Sequence, residues 1–267
     1  MFAHSPTRVG PAPGNDIRTH GEYIGMNPLP VSAAAMREVY LRYAAARPDL
    51  DGTLLPGLLP HDACDAASRR PDRVKVLFVA ESPPWAACQR EVAEPADCRS
   101  PGYPFFWNER YDAPCRQGPL SGGFAENLFS LLGLDGRSRR ENLELFAAKH
   151  LFLVDTIKCV FRKNRKPAIP NDLVRASARE ILAPEIAGLS PEYVVALGNT
   201  ALSGLSGIEP YAGALANARA VTGLSRDLRE SLFEENRLLC LPYPGGRNRR
   251  YLDAIEAGFA LLRDISG

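Results

Sequence analysis

Four short apolar runs, rich in β-branched residues and each closed by turn-forming residues, constrain this chain more than any other feature: Val74 to Ala80, Leu151 to Asp155, Tyr193 to Leu197 and Leu238 to Pro242. Their length and composition predict buried strands. Between and after them lie segments of helical period, Gly123 to Leu134, Arg140 to Lys149, Leu173 to Leu189, Ser225 to Glu235 and Tyr251 to Ile265. Strand alternating with helix predicts an α/β fold, a three-layer αβα sandwich around a central, mostly parallel four-stranded sheet.

Apolar residues make up 45% of the 267, enough for one large core. Residues 31–267 are expected to form one α/β domain. Residues 1–30, with Pro11, Pro13, Gly14, Pro28 and Pro30, are expected to be an irregular extension. That extension has no apolar run of signal-peptide or membrane-span length, so a cytoplasmic monomer without membrane contact is expected. Lys and Arg total 32 against 31 Asp and Glu, a net charge of +1, so attraction to nucleic acid has to come from local clusters. The six cysteines include no close pair, which fits reduced, buried thiols better than a disulfide framework. Cys64, Cys88, Cys98 and Cys115 are too irregularly spaced for a usual zinc signature; neither metal nor cofactor is expected. The glycine patterns of dinucleotide and P-loop sites are missing too.

In a parallel sheet, ligands sit beyond the carboxyl ends of the strands. The segments there are Glu81-Ser82-Pro83-Pro84-Trp85, Asp155-Thr156-Ile157-Lys158-Cys159, Gly198-Asn199 and Tyr243-Pro244-Gly245-Gly246-Arg247. The second continues into the basic stretch KCVFRKNRKP, residues 158–167, which contains Lys163, Asn164 and Arg165. The fourth continues through Arg247, Asn248, Arg249 and Arg250. Either run alone reads equally as a solvated charged loop, whereas two on one sheet edge bracket a groove suited to a phosphate backbone.

Four segments in order carry a resemblance. DTIKCVFRKNRKP (Asp155 to Pro167) resembles the iron-sulfur class of uracil-DNA glycosylases, in which an Asn at a strand end leads into Lys-Cys and Asn-Arg-x-Pro. VLFVAESPP (Val76 to Pro84) is similar to the first family motif, PEYVVALGNTAL (Pro191 to Leu202) to the third strand and its helix, and LPYPGG (Leu241 to Gly246) to the His-Pro-Ser motif. The matches span about residues 73 to 265.

The resemblance implies that Glu81 holds the attacking water or stabilises the positive charge that develops on the sugar. An oxocarbenium-like state is favoured by such a carboxylate. It implies that Phe105 stacks on the extruded base with Ser82 beside it, and that Lys163, Asn164, Arg165, Gly245, Gly246, Arg247 and Arg249 contact DNA. Asp155 and Tyr243 depart from the pattern. Uracil-specific relatives carry Asn where Asp155 stands; a carboxyl suits a base edge that offers protons, such as the amino group of cytosine, and when protonated it can also donate to N3. Tyr243 stands in place of a His that hydrogen-bonds the leaving base, a role a phenol can share. Of the cluster ligands only the place of Cys159 is filled, so the iron-sulfur cluster does not carry over.

These features together lead to an expected monofunctional DNA N-glycosylase, a hydrolase of N-glycosyl bonds. Its catalytic residues would be Glu81, Asp155 and Tyr243, and its partner DNA with a flipped-out base. The base expected is a modified cytosine, hydroxymethylated or glucosylated as in phage DNA, by analogy with antiphage glycosylases. A uracil repair glycosylase, and a module of the same fold that binds DNA without cutting it, are the alternatives.

Overall fold

The structure, a computed structural model, describes residues 30–84, 103–111, 119–163 and 168–266. Apart from Pro30, the N-terminal extension expected over residues 1–30 lies outside the described residues. In chain order the elements begin with helix α1 (Ala33–Ala46), strand β1 (Leu54–Leu55), the one-turn helix α2 (Pro60–Ala63) and strand β2 (Val76–Ala80). Helices α3 (Phe124–Leu131) and α4 (Arg139–Ala148) lead into β3 (Leu151–Asp155) and β4 (Val160–Phe161). Helices α5 (Asn171–Ser177) and α6 (Ala183–Leu189) precede β5 (Tyr193–Leu197). Then come α7 (Asn199–Leu205), α8 (Tyr211–Leu215), α9 (Arg226–Asn236), β6 (Leu238–Leu241) and α10 (Leu252–Ser266).

The four expected strands form one sheet in the order β3-β2-β5-β6, and every neighbouring pair is parallel. Both faces of β2 and β3 are buried along their whole length, which is why their sequences run apolar without alternation. Phe78 of β2 packs against Phe146 of α4 and Phe259 of α10, with ring centroids 5.7 and 6.3 Å away. Helix α7 packs on β5 and β2, and α5 on α7, completing the αβα sandwich. The chain steps from β2 outward to β3, then returns to place β5 on the other side of β2. The strand order therefore reverses between β2 and β5, the switch point at which a crevice opens beyond the strand ends.

Two features went unforeseen in the sequence. The first is a second core formed by α1, β1, β4 and α5, with Tyr40, Leu54, Cys159, Phe161 and Leu173 buried in it. Here β1 pairs antiparallel with β4, Leu54 opposite Phe161, which anchors the start of the basic loop. The second lies inside the helical run expected over 173–189, which is interrupted by a widened turn, Ala178–Leu182, where the Ala183 N–H bonds the Ala178 carbonyl. Pro184 follows directly. Proline lacks the N–H that a regular turn needs and its ring crowds the preceding carbonyls, so the wider turn lets the helix continue.

Hydrogen bonds fasten the loop after β3 in place. The Thr156 hydroxyl and N–H both donate to the Ala80 carbonyl, at 2.7 and 2.9 Å, and the Ile157 N–H donates to the Glu81 carbonyl at 3.0 Å. On the other side the Lys158 N–H donates to the Tyr40 hydroxyl at 2.7 Å, and the Ser177 hydroxyl, itself bonded to Tyr40, donates to the Thr156 carbonyl at 2.6 Å. The Lys158 side chain is fully buried in an ion pair with Glu185 of α6. The ends of β2 and β3, which carry Glu81 and Asp155, are thereby held in fixed relation.

Candidate active site

Glu81 is the first residue beyond β2, at the switch point. Its two carboxylate oxygens have different partners: the Thr200 hydroxyl donates to Oε2 at 2.6 Å, and Lys163 pairs with Oε1. Thr200 arrives there because α7 starts directly after β5. The connection passes through Gly198 at φ +90°, a conformation side chains disfavour, and Gly198 packs against the Tyr243 side chain.

Asp155, the last residue of β3, is buried, and its Oδ2 lies 3.0 Å from Nε2 of His61, which is buried as well. Sequence reasoning missed His61, a residue of α2. The His61 ring also meets Phe105 edge-on, with centroids 5.0 Å apart at 77°. Phe105 is fixed through its backbone: Nη2 of Arg139 donates to the Phe105 and Phe106 carbonyls at 2.6 and 3.0 Å. Phe106 turns its ring into the core against Trp107, Phe129 and Phe146.

Tyr243 follows β6 and stacks on Phe124 at 4.8 Å, with the rings 15° from parallel. Burial, with the carboxylates of Asp155 and Glu81 nearby, pushes its phenol well above the ordinary value, so the hydroxyl stays protonated at neutral pH. A Cβ on Gly245 would come within 3.1 Å of the Tyr243 ring, so any side chain there would require the ring to give by a few tenths of an ångström. The Gly245 N–H donates to the Tyr243 carbonyl at 2.8 Å, leaving Gly246 as the more available of the two for an outside anion. The basic run beyond forms a tight turn, Gly246–Tyr251, rather than an open loop. Arg247 and Arg250, on either side of a kink at Asn248, both line the cavity, while Arg249 donates to the Pro119 carbonyl at 3.1 Å.

These groups surround one cavity of about 1010 Å³. Of the residues singled out in the sequence, Glu81, Ser82, Phe105, Asp155, Lys163, Tyr243, Gly245, Gly246 and Arg247 line it. Arg249 stands outside its wall, and Asn164 and Arg165 lie outside the described residues, as do Cys88, Cys98 and Cys115. Phe124, Thr200 and Arg250 also line it; all three lie in segments read from the sequence, but Phe124 and Thr200 were given no role there. Among the described residues no three His, Cys, Asp or Glu side chains converge as a metal site would require, and no helix is long and apolar enough to cross a membrane.

A carboxylate at a switch point, a buried acid beside an aromatic platform and arginines at the rim are the surroundings a base drawn out of a nucleic acid would need. Comparison with protein families decides the matter: the model of the Uracil DNA glycosylase superfamily matches residues 68–263. The chain belongs to the uracil-DNA glycosylase superfamily. No curated protein and no solved structure matches it. The superfamily domain contains all four strands of the parallel sheet and every cavity residue named above. Helices α1 and α2, and with them His61, precede the matched region. As a superfamily member the protein is a DNA glycosylase in general character, and its partner is DNA.

Proposed function

We propose that this glycosylase removes a modified cytosine, of the hydroxymethylated or glucosylated kind found in phage DNA, and leaves an abasic site. The observation that carries the choice of base is Asp155: a buried carboxyl in the cavity wall, at a position where uracil readers need an amide. With Oδ2 engaged by His61, the other oxygen is left to accept from the amino group of a cytosine-type base. Uracil presents a carbonyl at that position and meets an acceptor with an acceptor. An enzyme that removed ordinary cytosine would damage its own genome, so the substrate has to carry a mark foreign to the host. A cavity of about 1010 Å³ lies at the upper end of small-molecule sites, which reach about 1,000 Å³, and so leaves room for a 5-substituent.

Phe105 stacks on the base, and Ser82 lies beside it. As the bond between the base nitrogen and C1′ breaks, positive charge grows on the sugar. Glu81, held by Thr200 and Lys163, stabilises that charge and orients the water whose oxygen bonds to C1′. The Tyr243 hydroxyl donates to the departing base, which takes up a proton as it leaves. Lys163, Asn164, Arg165, Gly246, Arg247 and Arg249 contact the phosphates around the flipped nucleotide.

The test is Asp155→Asn. It replaces one oxygen by an NH2 group at nearly constant volume, so the preference between cytosine-type bases and uracil should move toward uracil by roughly tenfold to a hundredfold. Efficient uracil excision by the wild type, merely weakened by the substitution, would remove Asp155 from base reading and the cytosine assignment with it.

A further inference from the structure

We infer that His61 is a positioning residue for base recognition: it captures one oxygen of residue 155 and so sets whether that residue offers the base an acceptor or a donor. The inference rests on the reading of Asp155 given above and adds to it a residue from outside the superfamily domain. His61 belongs to α2, ahead of the matched residues 68–263, yet its ring reaches both the proposed base reader and the proposed base platform. One nitrogen lies 3.0 Å from Asp155 Oδ2, and the ring abuts Phe105 edge-on. His61 itself is not in the cavity wall, so it acts on a base only through these two residues.

A contact of this length between a ring nitrogen and a carboxyl oxygen needs one proton between them. Whether that proton rides on Nε2 or on Oδ2, Oδ2 is committed to His61, and Oδ1, carrying no proton, accepts. The base it suits is one with an amino group at that edge. The same capture acts in the Asp155→Asn variant. With the proton on Nε2, the His61 N–H draws the amide oxygen to itself and leaves the NH2 group toward the cavity, a donor for the 4-carbonyl of uracil. Without His61 the amide is free to turn over, because its oxygen and nitrogen are nearly the same size, and its preference fades. Substitutions at 61 and 155 are therefore coupled in base choice, not additive. A histidine that only filled space would weaken binding to every base alike.

The experiment measures affinity for duplexes carrying a non-hydrolysable 2′-fluoro nucleotide of cytosine or of uracil. The proteins are the wild type, Asp155→Asn, His61→Gln, His61→Leu and the two double substitutions. His61→Gln keeps an N–H donor and should keep each background's preference. His61→Leu should reduce that preference roughly tenfold in the Asp155→Asn background, where the amide is freed to turn over, and far less with Asp155, whose two oxygens both accept. A preference unchanged by His61→Leu in the Asp155→Asn background, with both affinities scaled equally, overturns the inference and leaves the reading of Asp155 standing. If the wild type shows no preference, both fail. Nitrogen-proton NMR of the His61 ring gives a readout that does not depend on activity: the Nε2 proton signal should shift on Asp155→Asn, and an unmoved signal counts against the pairing itself.

Discussion

Glu81, to which the proposed mechanism gives the work of bond cleavage, has both of its oxygens held beside the cavity by the Thr200 hydroxyl and Lys163. Glu81→Gln keeps the shape and removes the charge. DNA affinity should stay nearly unchanged while single-turnover base release slows by roughly a hundredfold, the scale on which one electrostatic contact to a transition state is lost. Wild-type turnover in that variant would take Glu81 out of the mechanism. Tyr243→Phe retains the stack on Phe124 and deletes only the hydroxyl, so it should slow release by roughly a hundredfold with little change in melting temperature. Glu81, Asp155 and Tyr243 could be picked out in the sequence because each sits at or just beyond the carboxyl end of a strand, and the topology of a parallel sheet gathers strand ends. Their partners could not. His61 is 94 residues from Asp155 and lies in no segment the sequence marked, and Thr200, 119 residues from Glu81, lies in the segment 191–202 with nothing in its local pattern to pair it with Glu81.

At the level of elements, the β3–β4 loop is clamped by a buried ion pair between Lys158 and Glu185, both about 1% exposed. Breaking it from one side leaves an unpaired charge in the core. Lys158→Met alone should therefore cost about 3–5 kcal/mol in urea denaturation, whereas Lys158→Met with Glu185→Leu should lie close to the wild type. A mild loss in the single variant would mean that the pair is solvated in solution. The two basic segments make a separate prediction. Arg247→Ala or Arg165→Ala should weaken binding to all sequences about equally and flatten the salt dependence by about one unit per lost phosphate contact. Titrations with unchanged slopes in both would show that these segments do not bracket the duplex. The buried strands could be read from sequence because burial on both faces demands unbroken apolar runs. The widened turn before Pro184 could not, since the apolar period runs straight through the proline and only the backbone records the adjustment. Helix α1 was missed for a related reason: few of its residues are buried, so its apolar stripe is thin.

For the molecule as a whole, several acids have been placed where their charged forms are disfavoured. Burial raises Tyr40 and Tyr243 above the usual 10.0 and Cys159 above the usual 9.0. A raised folded-state value means that the folded protein resists losing the proton. The associated stability is present in full below the unfolded values and is lost as pH climbs past them. Melting temperature should accordingly hold steady to about pH 9 and fall above it, and a flat profile to higher pH would contradict the burial of these groups. The proposed choice of an amino-bearing base rests on a superfamily domain extended by an N-terminal segment that brings His61 to Asp155. The most direct measurement is incubation of the full chain with duplexes containing uracil, cytosine, hydroxymethylcytosine or its glucosylated form, followed by alkaline cleavage at abasic sites. Strand scission confined to one or both modified cytosines is the expected result; scission at uracil alone, or tight binding to every duplex without scission, would contradict it.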